Sequence, residues 1–166
     1  MKYTKDQLRA IKTILNDRQP WMKCARHLTY SDHIGERNLV LNDTTLLLLN
    51  EPVWDDGEEY EAQRLIRSNE TSDIETGFAV NPAATHSDGK YLYVKLGDNA
   101  YFDPRILKRA FRALKYRGQA VTLQYKVDSR TQQRYCLCLT VATEWGYGMV
   151  MACRIRDGSG LVKVLR

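Results

Sequence analysis

The chain has 166 residues, of which 43% are hydrophobic and 27% charged, with a formal net charge of +5. That length holds one domain, and the composition supports a packed core rather than a disordered chain. The longest uncharged apolar run, around "TTLLLLN", is far short of the roughly 20 residues that span a bilayer, and "MKYTKDQLRA" has no signal-peptide core, so a soluble, cytoplasmic protein with no membrane partner is expected.

The charge is unevenly spread. Residues 51–76 carry nine acids against Arg64 and Arg67, whereas residues 77–166 carry six acids against fifteen Lys and Arg. One surface is therefore expected to meet a polyanion, with the acidic stretch lying elsewhere or shielding that surface.

In chain order, "TKDQ" gives a capping box with Thr4 as N-cap, and Leu8, Ile11, Ile14 and Leu15 recur at helical spacing, so a helix is predicted from Thr4 to about Asp17. "WMKCARHLTYSD" is partly extended. "NLVLNDTTLLLLNEP" reads as two strands around a turn at Asn42 and Asp43. The acidic stretch has room for one short helix near Tyr60 to Arg67. "TGFAVNP" and "KYLYVKLG" read as strands separated by the loop "PAATHSDG".

A second helix follows in "FDPRILKRAFRALKYRG", residues 102–118. Asp103 suits the N-cap, Pro104 the first helical position, and Gly118 the position just past the end. "AVTLQYKVD", "QRYCLCLTVAT" and "GYGMVMACRIR" then read as an antiparallel meander, and "GLVKVLR" as a further edge strand. Helix followed by strands thus occurs twice. The expected fold class is α+β, in one domain over residues 1–166. One half covers about 1–80 with an acidic insertion at 51–76, the other about 90–166, and the helices pack on one side of the sheets.

Both helices segregate their charge. At 100° per residue, Arg105, Lys108, Arg109, Arg112 and Lys115 fall within about 120° of arc, opposite Ile106, Leu107, Ala110, Phe111, Ala113 and Leu114. Lys5, Arg9 and Lys12 fall within about 60° on the first helix. An ordinary solvated face mixes signs, because acid–base pairs stabilise a helix and like charges oppose it. A one-sign stripe fits phosphates, and it carries no Asn or Gln to read bases. These eight cations are the candidate nucleic-acid-binding residues. Tyr116, at the end of the stripe, could touch a sugar or pack in the core.

Other chemistry is weakly signalled. Cys136 and Cys138 fall on one face of a regular strand and are expected to be buried apolar side chains. His27, His33, Asp32 and Glu36 could be drawn as a metal site, but the spacing is poor for structural zinc and His86 is remote. No nucleophile elbow, phosphate loop or dinucleotide motif occurs, and "DGSG" is a turn. Trp21, Trp54 and Trp145 are expected to pack rather than anchor a peptide. The expectation is a non-enzyme with no cofactor and no metal.

"FDPRILKRAFRAL", "VTLQYKV", "CLCLTVAT" and "GYGMVMACRI" together resemble the second half of the last domain of bacterial sliding clamps, the processivity-factor beta subunits of DNA polymerase III. "MKYTKDQLRAIKTIL" and "NLVLNDTTLLLLNEP" resemble the opening of a clamp domain. Residues 51–76 have no counterpart, Ala152 stands where the family has proline, and the chain runs eleven residues past Ile155. The resemblance implies a single clamp-like domain whose helices face double-stranded DNA, without sequence preference, as an accessory protein in replication, repair or mobile-element upkeep. It also implies self-association or a replication-protein partner. The rival implication is a non-catalytic interaction module that modulates replication proteins without encircling DNA.

Overall fold

The computed structural model describes residues 2–17, 26–32, 35–53, 58–59, 73–87, 92–97 and 100–153. The element order is α1 (Lys5–Asn16), β1 (Arg26–Asp32), β2 (Gly35–Leu41), β3 (Thr45–Leu49), β4 (Glu58–Glu59), β5 (Asp73–Phe78), β6 (His86–Ser87), β7 (Leu92–Leu96), β8 (Ala100–Phe102), α2 (Pro104–Ala113), β9 (Val121–Val127), β10 (Arg134–Thr143) and β11 (Gly146–Met151). The chain is α+β, with two helices and two sheets among the described residues. The predicted helix near Tyr60–Arg67 and the strand "GLVKVLR" lie outside them, as do Cys24, His33, Trp21, Trp54 and "DGSG".

The larger sheet has eight strands in the order β4-β1-β2-β3-β11-β10-β9-β5. All its pairings are antiparallel except the short β1–β4 contact. Two meanders, β1-β2-β3 and β9-β10-β11, each follow a helix. They join edge to edge through β3 and β11, where Leu49 pairs with Gly146 and Leu47 with Gly148. The smaller sheet is β6-β7-β8. Its strands β6 and β8 were not anticipated: two or three residues are too few to show a period.

α1, α2 and the small sheet share one core on a single face of the large sheet. Ile11 and Ile14 of α1, Leu107, Phe111 and Leu114 of α2 and Phe102 of β8 meet Val40, Leu47, Leu123, Leu139 and Val150. The other face carries a second buried cluster, including Leu39, Leu46, Leu48, Cys138 and Met149. β3 is therefore buried at all five positions, which explains a run of leucines in place of alternation. Gly148 lets α2 approach, since a β-carbon there would sit 2.5 Å from Leu114 Cδ1.

Cys136 and Cys138 depart from the sequence expectation. A bulge between them leaves Leu137 unpaired, so the register shifts and the two thiols enter different cores, Cys136 on the helix side and Cys138 on the other. Both are buried, as expected, and burial pushes each thiol up to about 12.

The helices are tied at their ends. In α1 the capping box is complete: Gln7 N donates to Thr4 Oγ1 at 3.2 Å, and Thr4 N donates to Gln7 Oε1 at 3.0 Å. The same Gln7 amide donates from Nε2 to the carbonyl of Ala113 at 3.1 Å, in a buried contact. That carbonyl belongs to the last turn of α2, where the helix supplies no donor of its own. Thr143 Oγ1 donates to the next carbonyl, Leu114 O, at 2.7 Å. Asn42, in the β2–β3 turn, donates to Ile14 O of α1 at 2.9 Å while its Oδ1 accepts the backbone N–H groups of Thr44 and Thr45. Each helix C-terminus is thus held by a polar side chain at or beside the turn between the second and third strands of the meander that follows it.

Replacing Gln7 with Met leaves the Ala113 carbonyl buried and unpaired, and is expected to lower unfolding free energy by about 2 kcal/mol. Thr4→Ala alone is expected to cost about 1 kcal/mol. Urea denaturation of both single variants and the double variant should give less than the sum, because the two side chains form one box.

Candidate nucleic-acid interface

α1 and α2 lie side by side and antiparallel. Gln7, near the start of α1, meets Ala113 at the end of α2, and Asp17, past the end of α1, pairs with Arg109 in the middle of α2. Their apolar sides enter the sheet core, so their polar sides face away from it. Lys5, Arg9, Lys12, Arg105, Lys108 and Arg112 are exposed, while Arg109 and Lys115 are half-buried. The structure therefore brings the two predicted stripes onto adjacent elements.

The eight cations are not electrically equivalent. Arg109 forms a short ion pair with Asp17, with both side chains about one-third exposed (33% and 37%). Arg105 folds back on the α2 N-cap, placing its guanidinium 2.9 Å from Asp103 Oδ2. Burial alone would push the Asp103 carboxyl up, but hydrogen bonds from the Arg105 side chain and from helix N–H groups outweigh it and hold that carboxyl below the usual range. Arg9 lies 3.7 Å from Asp6, with both side chains well exposed, a contact of little energetic weight. Lys5, Lys12, Lys108 and Arg112 have no carboxylate among the described residues within ion-pair distance.

Lys115 departs from the plain stripe. α2 closes three residues earlier than Gly118 would place it. Leu114 is the C-cap, and Lys115 takes the left-handed conformation itself, with φ +51°. Lys115 N donates to Arg112 O and Tyr116 N donates to Phe111 O, the paired bonds of a Schellman close. The apolar contact that accompanies this motif is the Phe111–Tyr116 stack, with ring centroids 4.2 Å apart. Tyr116 is thus committed to packing, and its hydroxyl accepts Val80 N at 3.0 Å. The Lys115 ammonium lies 5.3 Å from the centroid of Trp145, a ring only 3% exposed that also packs on Tyr3. Trp145 is a packing residue, as its type suggested.

Between the helices is an open groove of about 410 Å³. Thr4 and Asp6 stand on the α1 side and Lys108, Arg112 and Lys115 on the α2 side, with Phe111, Tyr116 and Pro82 also lining it. No sequence signal placed Asp6 opposite Lys108 and Arg112, because that juxtaposition depends on the antiparallel docking of the helices.

Away from the helices, Arg134 holds the edge strand β5. It bonds Asp73 at 2.7 and 3.1 Å and Glu75 at 3.0 Å, and stacks 3.5 Å from the centroid of the Tyr125 ring. These bonds raise the pKa of Arg134, and burial raises that of Tyr125. No group of three or more metal-ligating side chains occurs among the described residues, and no described helix is long and apolar enough to cross a membrane.

Comparison of the chain with protein families, with curated proteins and with solved structures returns no match.

Lys115→Gly and Lys115→Ala separate the backbone from the ring contact. Both remove the ammonium, but only glycine adopts positive φ without cost. The glycine variant should be more stable than the alanine variant by about 1 kcal/mol in urea denaturation. Equal stabilities would mean that the turn at Lys115 carries no backbone strain.

Proposed function

We propose that this protein is a single clamp-like domain that binds duplex DNA without sequence preference through the exposed faces of α1 and α2. The observation that carries this reading is the set Lys5, Lys12, Lys108 and Arg112. These four cations stand on adjacent antiparallel helices with no carboxylate partner described. Arg9, Arg105 and Arg109 lie among them and can exchange a carboxylate for a phosphate at the cost of a surface-type ion pair, worth at most about 1 kcal/mol.

The mechanism is electrostatic. Cations spaced along a helix meet a repeating backbone charge, release its condensed counterions and read no base edge. Neither helix needs to enter a groove, because the sheet behind them serves as scaffold. The role proposed is that of a non-catalytic accessory to DNA metabolism. Self-association would place several such surfaces along one duplex.

Binding to a random-sequence duplex should weaken with salt with a log–log slope of about −4 if four phosphates are neutralised. The pair Lys108→Glu and Arg112→Glu should lower affinity at least tenfold and flatten that slope, without a change in the circular dichroism spectrum. Unchanged binding in this folded variant would reject the surface.

A further inference from the structure

The groove between the helices differs in shape and charge balance from the stripes beside it. Lys108 and Arg112 stand about one helical turn apart on one wall, and Lys115 lines the same wall just past the helix end. The opposite wall brings Asp6, so the groove holds three positive charges and one negative, a net of +2. Two hydroxyls retain protons to donate: Thr4 Oγ1 accepts from Gln7 N, and Tyr116 Oη accepts from Val80 N. The Phe111–Tyr116 stack supplies an apolar flank.

An internal phosphodiester can meet the exposed Lys108 and Arg112 from outside but fits the recess itself poorly. It carries a single charge and sits on the convex surface of a wide, stiff duplex, which meets exposed stripes more readily than it enters a recess between two helices. A phosphomonoester carries close to two negative charges at neutral pH and offers three oxygens. It matches the net +2 and the convergent donors, and the sugar attached to it would lie along the aromatic flank. The cations flanking the groove on both helices favour a nucleic acid as the bearer of that phosphate.

Resting on the DNA-binding reading above, we propose that this groove is a phosphomonoester subsite that receives the terminal phosphate of a nucleic-acid strand. The duplex body then lies on the neighbouring stripes, and binding at a strand end exceeds binding along the strand. Asp6 weakens the groove's pull on either kind of phosphate, and the end preference comes from the doubled charge of the terminal group in a recess that stays net positive.

The test compares blunt duplexes of one sequence carrying 5′-phosphate, 3′-phosphate or hydroxyl ends with a covalently closed circle, by fluorescence or gel titration at fixed salt. At least one phosphorylated end should bind about tenfold more tightly than the hydroxyl end. Millimolar inorganic phosphate should remove that advantage. So should lowering the pH through about 6, where the phosphomonoester dianion takes up a proton and becomes a monoanion. The advantage should also vanish in Lys108→Met with Arg112→Met, both exposed positions that a folded chain tolerates. Equal affinity for all linear duplexes would overturn the subsite while leaving general DNA binding in place. Failure to bind any of the DNAs would overturn both readings. A phosphoserine peptide that binds more tightly than the phosphorylated duplexes would assign the groove to a protein partner and overturn the nucleic-acid assignment.

Discussion

One side-chain amide does two jobs on which the helical layer depends. Gln7 accepts the N-cap N–H of its own helix and donates to the last turn of the other. A helix end leaves up to four backbone groups without partners, and burying them unpaired costs more than most single contacts return. By joining the start of α1 to the end of α2, Gln7 makes antiparallel docking the arrangement in which both ends are satisfied. Asn42 and Thr143 complete the scheme from the sheet side. The helices are therefore fixed in position and direction by buried polar contacts at their ends and by apolar contacts along one face.

That arrangement leaves the outer faces without a structural task. Like charges at neighbouring helical positions on those faces cost a few tenths of a kcal/mol per pair. The acids that do occur sit at helix ends. Asp103 caps α2, where the helix dipole favours a negative charge. Asp17 follows the end of α1, where the dipole disfavours one, and Arg109 offsets that cost from the neighbouring helix. Along α2, Lys108 and Arg112 have no carboxylate partner among the described residues, and Asp6 is the acid among the described residues that lines the groove beside them.

The order of the fold has a near-symmetry that the letters conceal. Helix then three-strand meander occurs twice, the meanders meet at β3 and β11, and the strand order reads outward as 3-2-1 on one side and 11-10-9 on the other. At or beside the turn between the second and third strands of each meander, a polar side chain holds the helix before it, Asn42 in one half and Thr143 in the other. The chemistry recurs with different residues because an amide and a hydroxyl can each donate to a carbonyl. Identity between the halves is not needed for them to be built alike.

Local rules were enough to place α1 with its capping box, the N-cap of α2, the turn at Asn42 with the strands beside it and the second meander, because short-range geometry and periodicity decide them; they left β1 only partly extended. They were also enough to sort cations from apolar residues around each helix axis, since that depends only on the helical repeat. What they could not decide depends on residues distant in the chain. The bulge at Leu137 that sends Cys136 and Cys138 to different cores is a matter of register with β9. The Phe111–Tyr116 stack closes α2 at Lys115, three residues before Gly118, and Gly118 takes its own positive φ of +86° in the turn beyond. The pairing of Arg109 with Asp17, and the meeting of Asp6 with Lys108 and Arg112 across a groove, exist only because two helices far apart in sequence dock side by side. Composition and periodicity determined that the chain has a cationic surface, and local spacing answers Arg105 with Asp103 and Arg9 with Asp6; only tertiary docking decided that Arg109 is answered by Asp17 and that Asp6 faces Lys108 and Arg112, because those residues are brought together by helices distant in the chain.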